Sequence, residues 1–198
     1  MPLRKPQPSR ATKKAFQDGL AEMIRLGRAP KDLPNKGFPL RTYVLGLRSI
    51  VKGKGVDRAK PILWDFLVGS GSGPAVLVAV ADPPGKKLPT MTSLTRGPAA
   101  AEVVQATQQV EKLPPIRRHR YELRRLRISA LSIHAFWLKS LEKGETDLAV
   151  PHQAIREQLK RMRPYPMEQF LSVVRLLAEK RLAAEAALRR KSKAAESR

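Results

Sequence analysis

The chain has 198 residues, of which 42% are hydrophobic, enough for one domain with a core of its own. It contains no cysteine, which excludes disulfides, thiolate metal sites and cysteine catalysis, and its longest apolar stretch, 75–81, is far shorter than the ~20 residues of a membrane-spanning helix. Lys and Arg number 39 against 17 Asp and Glu, so the formal net charge is +22, an excess that is easiest to understand if a polyanion neutralises it.

The first quarter of the chain predicts two helices separated by a loop. Ser9 or Thr12 is suited to cap a helix whose apolar positions within 16–24 share one face. The segment 29–37 contains Pro, Asn and Gly and is typical of a loop. Apolar residues within 40–51 follow helical spacing, although Val, Tyr and Ile also favour strands, so a strand remains the alternative there.

The middle of the chain predicts two strands followed by a helix. The apolar segments 62–68 and 75–81 flank the Gly-rich stretch 69–74, which favours a hairpin. A turn is predicted at Asp82-Pro83-Pro84-Gly85, and the segment that follows it, up to Arg96, is predicted to be irregular. Gly97-Pro98 then opens a helix that runs to Leu113, because Pro at the first helical position loses no hydrogen bond.

The last part predicts further strands and two more helices. Residues 121–138 alternate between two faces, with a slip near Ala130-Leu131 that indicates a bulge or a change of face. A short strand is expected at Leu148–Val150. Helices are expected around 155–162 and from Pro166 through Ala178, with the final dozen residues fraying.

These elements predict an α+β fold, a small and mostly antiparallel sheet flanked by helices, with basic extensions at both ends. The sheet is expected to be built from about 62–81 and 121–150. The domain organisation that follows is a basic N-terminal arm over 1–14, a single α+β domain over 15–182 and a basic C-terminal tail over 183–198.

The positive charge is concentrated in three segments, and we expect these to contact phosphate. Arg in particular suits bidentate phosphate contacts. The predicted nucleic-acid-binding residues are Arg4, Lys5, Arg10, Lys13 and Lys14 in the arm, Arg117, Arg118, Arg120, Arg124, Arg125 and Arg127 in the centre, and Arg189, Arg190, Lys191 and Lys193 near the C-terminus. On a strand, Arg125 and Arg127 would project from one face and Arg124 from the other. Tyr121 is the only aromatic residue in the central segment, which favours phosphate contacts over base readout.

Two further stretches have features of an anion site. Gly69–Gly73 would let backbone N–H groups approach phosphate, but it lacks the Gly-Lys-Ser/Thr of a P-loop, so a hairpin loop is favoured. Thr95, Arg96 and Gly97 precede a helix and form a candidate anion site, although helix capping explains the same residues.

The three histidines do not indicate a metal site. His119, His134 and His152 have neither a histidine nor a carboxylate at the three- or four-residue spacing of helical metal motifs. No metal and no cofactor are therefore expected.

The sequence predicts a non-enzymatic basic protein that binds a polyanion, RNA or DNA before others, with little base readout. The alternative is a protein–protein adaptor or assembly subunit that docks on an acidic partner. A third hypothesis is an enzyme that uses Thr92–Gly97 and His134. A cytoplasmic location is expected, with an organelle matrix as the other option because residues 1–29 contain many bases and few acids.

Overall fold

The structure, a computed structural model, describes residues 3–69, 75–83, 85, 87–153 and 158–196. The described helices are α1 (Arg10–Arg25), α2 (Leu47–Val51), α3 (Pro98–Glu111), α4 (Pro114–Arg118) and α5 (Met167–Glu196). The described strands are β1 (Leu3–Arg4), β2 (Phe38–Val44), β3 (Lys60–Val68), β4 (Val76–Ala81), β5 (Thr90–Arg96), β6 (Tyr121–Ile128), β7 (Ile133–Ser140), β8 (Leu148–Gln153) and β9 (Tyr165–Pro166).

All nine described strands join one sheet. Its order is β5-β4-β3-β2-β6-β7-β8-β9, and β1 also pairs with β6. Neighbouring strands are antiparallel except at β6, along which β1 and β2 both run parallel. Because β1 lies beside the start of β6 and β2 beside its second half, the two strands follow one another along the same side of β6.

Alternate residues of the strands bury two different faces of the sheet. One face packs on α3 through a cluster that includes Leu40, Leu67 and Phe136. The opposite face is covered in two places, by α1 over β3 and β4 and by α2 with α5 over β6 to β8. Burial of these apolar side chains is the main favourable contribution to folding. The middle of the second face, on β2 and β6, lies between the two helical covers.

Local sequence signals account for where α1 and α3 begin. Ser9 is the N-cap of α1, and its hydroxyl accepts a hydrogen bond from the backbone N–H of Thr12 at 3.1 Å. Gly97 precedes α3 with a φ of 75°, a conformation that favours glycine, and Pro98 is the first helical residue.

The α+β class and the mostly antiparallel sheet agree with the sequence prediction, but the sheet is not small. Residues 38–44 form a strand, the alternative that the sequence left open, and only 47–51 are helical. Residues 90–96, predicted to be irregular, form the edge strand β5. Residues 129–131 are a 3₁₀ turn that joins β6 and β7 as a hairpin, so the predicted slip is a reversal of the chain.

The remaining differences lie in the short loops and at the two termini. The Gly-rich stretch after Gly69 and part of the helix expected at 155–162 lie outside the described residues, and 158–164 are not helical. The α5 helix extends to Glu196 rather than fraying over the last dozen residues. In the predicted arm, Leu3–Arg4 is a strand of the sheet and 10–14 belong to α1.

Candidate polyanion-binding surface

The parallel pairing of β1 with β6 brings two of the three predicted basic segments together. Leu3 lies beside Tyr121 and Arg4 beside Glu122, and α4 lies just before β6 in the chain. The loop before β2 reaches the same end of the sheet, because β2 also runs parallel to β6. We call this region the arm end. Its exposed cations are Arg4, Lys5, Lys36, Arg117, Arg118 and Arg120.

The arm end contains two carboxylates that are held by a histidine and a tyrosine. Oε2 of Glu142 lies 3.0 Å from Nδ1 of His119, and its Oε1 accepts the backbone N–H of Arg120 at 2.9 Å. The hydrogen bond with His119, followed by that from Arg120, lowers the pKa of Glu142. The hydroxyl of Tyr121 donates to Glu145 at 3.4 Å, and burial, followed by the charge of Glu145, raises the pKa of Tyr121 to about 12. None of these contacts uses a guanidinium group of the arm end.

Arg124 lies in a row of side chains that crosses the second face of the sheet. The register places Trp64, Arg41, Arg124 and Trp137 side by side on β3, β2, β6 and β7. The guanidinium of Arg41 lies 4.9 Å from the Trp64 ring centroid, and that of Arg124 lies 4.8 Å from the Trp137 ring centroid. Arg124 Nε also donates to Glu122 at 2.7 Å. The row is therefore held by cation–π contacts and carboxylates.

Arg125 is buried on the opposite face, where it forms an ion pair with Asp65. Its side chain is 2% exposed and that of Asp65 is 3% exposed, and Nη1 of Arg125 donates to the carboxylate. The hydroxyl of Thr42 donates to the same carboxylate oxygen at 2.6 Å. The predicted division of Arg124 and Arg125 between the two faces is confirmed. The burial of Arg125 keeps it away from any polyanion on the surface.

Arg127, His134 and His152 share the face of Arg125. The two imidazole rings lie 6.1 Å apart, and His152 packs 4.7 Å from the Phe136 ring. Burial, followed by the charge of Arg127, lowers the pKa of His134 to about 4, and burial, followed by the charge of Arg125, lowers that of His152 to about 3. Burial and then Arg125 also lower the pKa of Arg127. Both histidines are therefore neutral at pH 7.

A second basic region, at the other end of the sheet, was not singled out from the sequence. The segment between β2 and β3, together with Lys60 at the start of β3, carries five exposed cations against one exposed acid, Asp57. The guanidinium of Arg175, on α5, lies within 3.3 Å of the position that a Cβ on Gly53 would occupy. We call this region the helix end. Its exposed cations are Arg48, Lys52, Lys54, Arg58, Lys60 and Arg175. The sequence signal for this region is a high proportion of Lys and Arg over a short helix and the two turns that follow it.

The other predicted sites lie on α5 and on the first turns of α1, where Lys13 shares a cleft with Lys5 and Lys36 of the arm end. Arg189 and Arg190 are exposed on the last part of α5, after the residues that pack on the sheet. Lys191 and Lys193 belong to the same helix. Arg10, Lys13 and Lys14 lie on the first turns of α1, where Lys14 pairs with Asp18 at 2.7 Å. Arg117 and Arg118 are helical in α4.

Within the described residues, no side-chain contact supports the candidate anion site or the enzyme hypothesis. Thr95 and Arg96 end β5, and no side chain caps the first turn of α3 after Gly97. No hydrogen bond within the described residues joins His134 to 92–97; its nearest recorded ring neighbour is His152. No group of three histidine or carboxylate side chains in that part of the chain is placed to hold a metal ion.

Comparison with protein-family models, with curated proteins and with solved structures finds no match to this chain. Across the described residues, no helix has the length and apolar character needed to cross a membrane.

Proposed function

We propose that the protein binds RNA or DNA through phosphate contacts at the arm end, with little reading of base identity. The observation that carries this proposal is the pairing of β1 with β6, which joins basic residues far apart in sequence into one surface. Three separate parts of the chain contribute to it: the N-terminal segment, the loop before β2, and α4 with the residues that lead from it into β6.

The charges at the arm end support phosphate binding because none of its exposed cations forms an ion pair within the described residues. Among the ion pairs of the described residues, none involves the side chain of Arg117, Arg118 or Arg120. An exposed guanidinium without a carboxylate remains available for a bidentate contact with phosphate. Each phosphate contact also releases a condensed counterion, which is a favourable entropic contribution.

Aromatic stacking of bases receives less support than phosphate contacts. The two tryptophans of the cross-sheet row are 7% and 3% exposed, because arginine side chains cover their rings. A base-stacking platform needs open aromatic faces. The proposal therefore excludes Arg125, which is buried, and assigns Arg124 a structural part in the row rather than a phosphate contact.

The test is the salt dependence of binding to a single-stranded oligonucleotide, measured by fluorescence anisotropy. The wild type should show a steep linear fall of log affinity with log salt. Changing Arg117, Arg118 and Arg120 to Gln should reduce the slope by about 2, since each single-strand contact contributes about 0.7. The matched control changes three exposed cations of the helix end, Arg48, Lys52 and Lys54, to Gln and should leave the slope nearly unchanged.

Three outcomes would count against this proposal. A flat salt response would rule out phosphate-driven binding altogether. A loss of slope only in the helix-end variant would move the site to the other end of the sheet. Capture of an acidic protein that survives nuclease digestion, with no oligonucleotide binding, would favour the adaptor function instead.

A further inference from the structure

A cleft of about 290 Å³ lies beside the arm end, between the N-terminal segment, α1 and the loop before β2. Three lysines from these three parts of the chain line it: Lys5, Lys13 and Lys36. Two of them were predicted from the sequence to contact phosphate, whereas Lys36 was not. The volume is at the lower end of the range for small-molecule sites, which suits a ligand of about the size of a mononucleotide.

The charge of the cleft is uncompensated within the described residues. No Asp or Glu lines it, and none of its three lysines takes part in an ion pair there. The neighbouring carboxylate of Asp18 is bound to Lys14 instead, at 2.7 Å. Three lysines and no acid along one concavity make it electropositive, so an anion bound there would be favoured electrostatically.

The floor of the cleft is well packed and holds the lysine-bearing loop in place. The rings of Phe16 and Phe66 stack with centroids 4.2 Å apart and an angle of 12° between their planes. Gly37 lies so close to them that a Cβ would be 3.0 Å from Cβ of Phe66 and 3.2 Å from the ring of Phe16. Lys36 is thus carried by backbone that lies directly against the floor. Nζ of Lys5 lies 4.4 Å from the centroid of the Phe38 ring, a cation–π contact.

We propose that this cleft binds a phosphomonoester, and that its ligand is the 5′-terminal phosphate of the nucleic acid bound at the arm end. This inference rests on the proposed function and adds an end preference to it. A terminal phosphate carries a charge of about −1.5 to −2 at pH 7, as a phosphorylated side chain does, whereas a phosphodiester within a chain carries one. Three lysines in a small cleft therefore favour the terminal group, and the limited volume favours a chain that ends there.

The experiment compares two short RNA oligonucleotides of one sequence, with a 5′-phosphate or a 5′-hydroxyl, by fluorescence anisotropy at one salt concentration. The label is at the 3′ end. We expect the 5′-phosphorylated RNA to bind roughly tenfold more tightly, as a few charge-assisted hydrogen bonds would give. Changing Lys13 and Lys36 to Gln should bring the ratio of the two affinities to about one. Thermal unfolding followed by circular dichroism checks that the variant is folded.

The control changes Lys52 and Lys54, at the helix end, to Gln and removes the same charge. This control should keep the tenfold preference. Equal binding of the two RNAs by the wild type, or a preference that survives in the cleft variant, would overturn the inference while leaving polyanion binding intact.

A mononucleotide titration, followed by NMR of the protein, separates the sources of the phosphomonoester. Binding of adenosine 5′-monophosphate without binding of either RNA would assign the cleft to a free small ligand and would refute both the end preference and the proposed function. Absence of binding to the mononucleotide and to both RNAs would refute the phosphomonoester site itself. Inorganic phosphate in the same titration shows whether the sugar and base contribute to binding.

Discussion

Arg124 and Arg125 are neighbours in β6, yet their charges are neutralised in opposite ways. Arg124 lies over the rings of Trp137 and Tyr43 on the second face of the sheet and donates to Glu122. Arg125 lies on the face that packs on α3, where it pairs with Asp65 and its side chain is 2% exposed. The comparison shows that a run of arginines in the sequence is not one surface: only those that the fold leaves exposed and unpaired remain available for a ligand.

The energetic difference between the two arginines follows from their surroundings. A buried ion pair gains strong attraction but loses the hydration of both ions, so its net contribution to stability is small while the loss of one partner is costly. An arginine on an aromatic ring near water keeps part of its hydration, and its contacts contribute modestly. Substituting each arginine by Met, which keeps much of the apolar side chain, separates these two cases.

The largest effect is expected for Arg125→Met. It leaves the Asp65 carboxylate buried with only the Thr42 hydroxyl as a hydrogen-bond donor. We expect a loss of about 3–5 kcal/mol in the free energy of unfolding, measured by urea denaturation. Adding Asp65→Leu should recover most of this loss, since the double variant has no uncompensated charge. A loss below about 1 kcal/mol in the single variant would mean that the carboxylate finds other hydration.

Lowering the pH should also destabilise the fold through the two histidines that share the face of Arg125. Burial lowers the pKa of His134 to about 4 and that of His152 to about 3, so the unfolded chain, with pKa values near 6.5, binds more protons than the folded one between these limits. The contribution of the two histidines to the free energy of unfolding is therefore fully present above about pH 6.5. It declines as the pH falls towards 3, by up to about 1.4 kcal/mol per pH unit for each histidine.

Replacing one buried histidine should isolate this effect. Neither ring nitrogen of His152 has a hydrogen-bond partner within the described residues, and its ring packs on Phe136. His152→Phe should therefore weaken the acid dependence between pH 6 and 4 in urea denaturation at stepped pH. His119→Gln, at the arm end, is the comparison on the surface. An unchanged slope in the His152 variant would contradict the assignment.

The sequence predicts which face of the sheet a side chain lies on, but it does not predict contacts between residues that are far apart in the chain. Strand alternation alone placed Arg124 and Arg125 on opposite faces, because it is a local property. The partner of Arg125 was out of reach, since Asp65 is 60 residues away and meets it only through the pairing of β2 with both β3 and β6. Parallel pairing leaves no hairpin signal in the sequence.

The elements that the sequence misjudged also have physical reasons. β5 is an edge strand with largely polar, half-exposed residues, so it lacks the apolar run of β4. The last part of α5 has no apolar face on the sheet, and it is rich in Ala, Leu, Glu and Arg, which favour helix intrinsically. The arm end could not be assembled from sequence at all, because Arg4 comes to lie beside the start of β6 only after β1 has paired with that strand.

The smallest effect on the free energy of unfolding is expected for Arg124→Met, the matched change on the second face of the sheet. It removes the hydrogen bond to Glu122 and the cation–π contacts with Tyr43 and Trp137, while the Met side chain still covers part of the Trp137 ring. Since these contacts lie near water, we expect a loss of about 1 kcal/mol, against the several lost in Arg125→Met, in the same urea denaturation. Oligonucleotide affinity should stay close to that of the wild type, because the proposed phosphate contacts are made by arginines outside the row. A loss of stability as large as that of Arg125→Met would mean that the cross-sheet row depends on its charge as much as the buried pair does. A large loss of oligonucleotide affinity would place the bound nucleic acid on the sheet face itself.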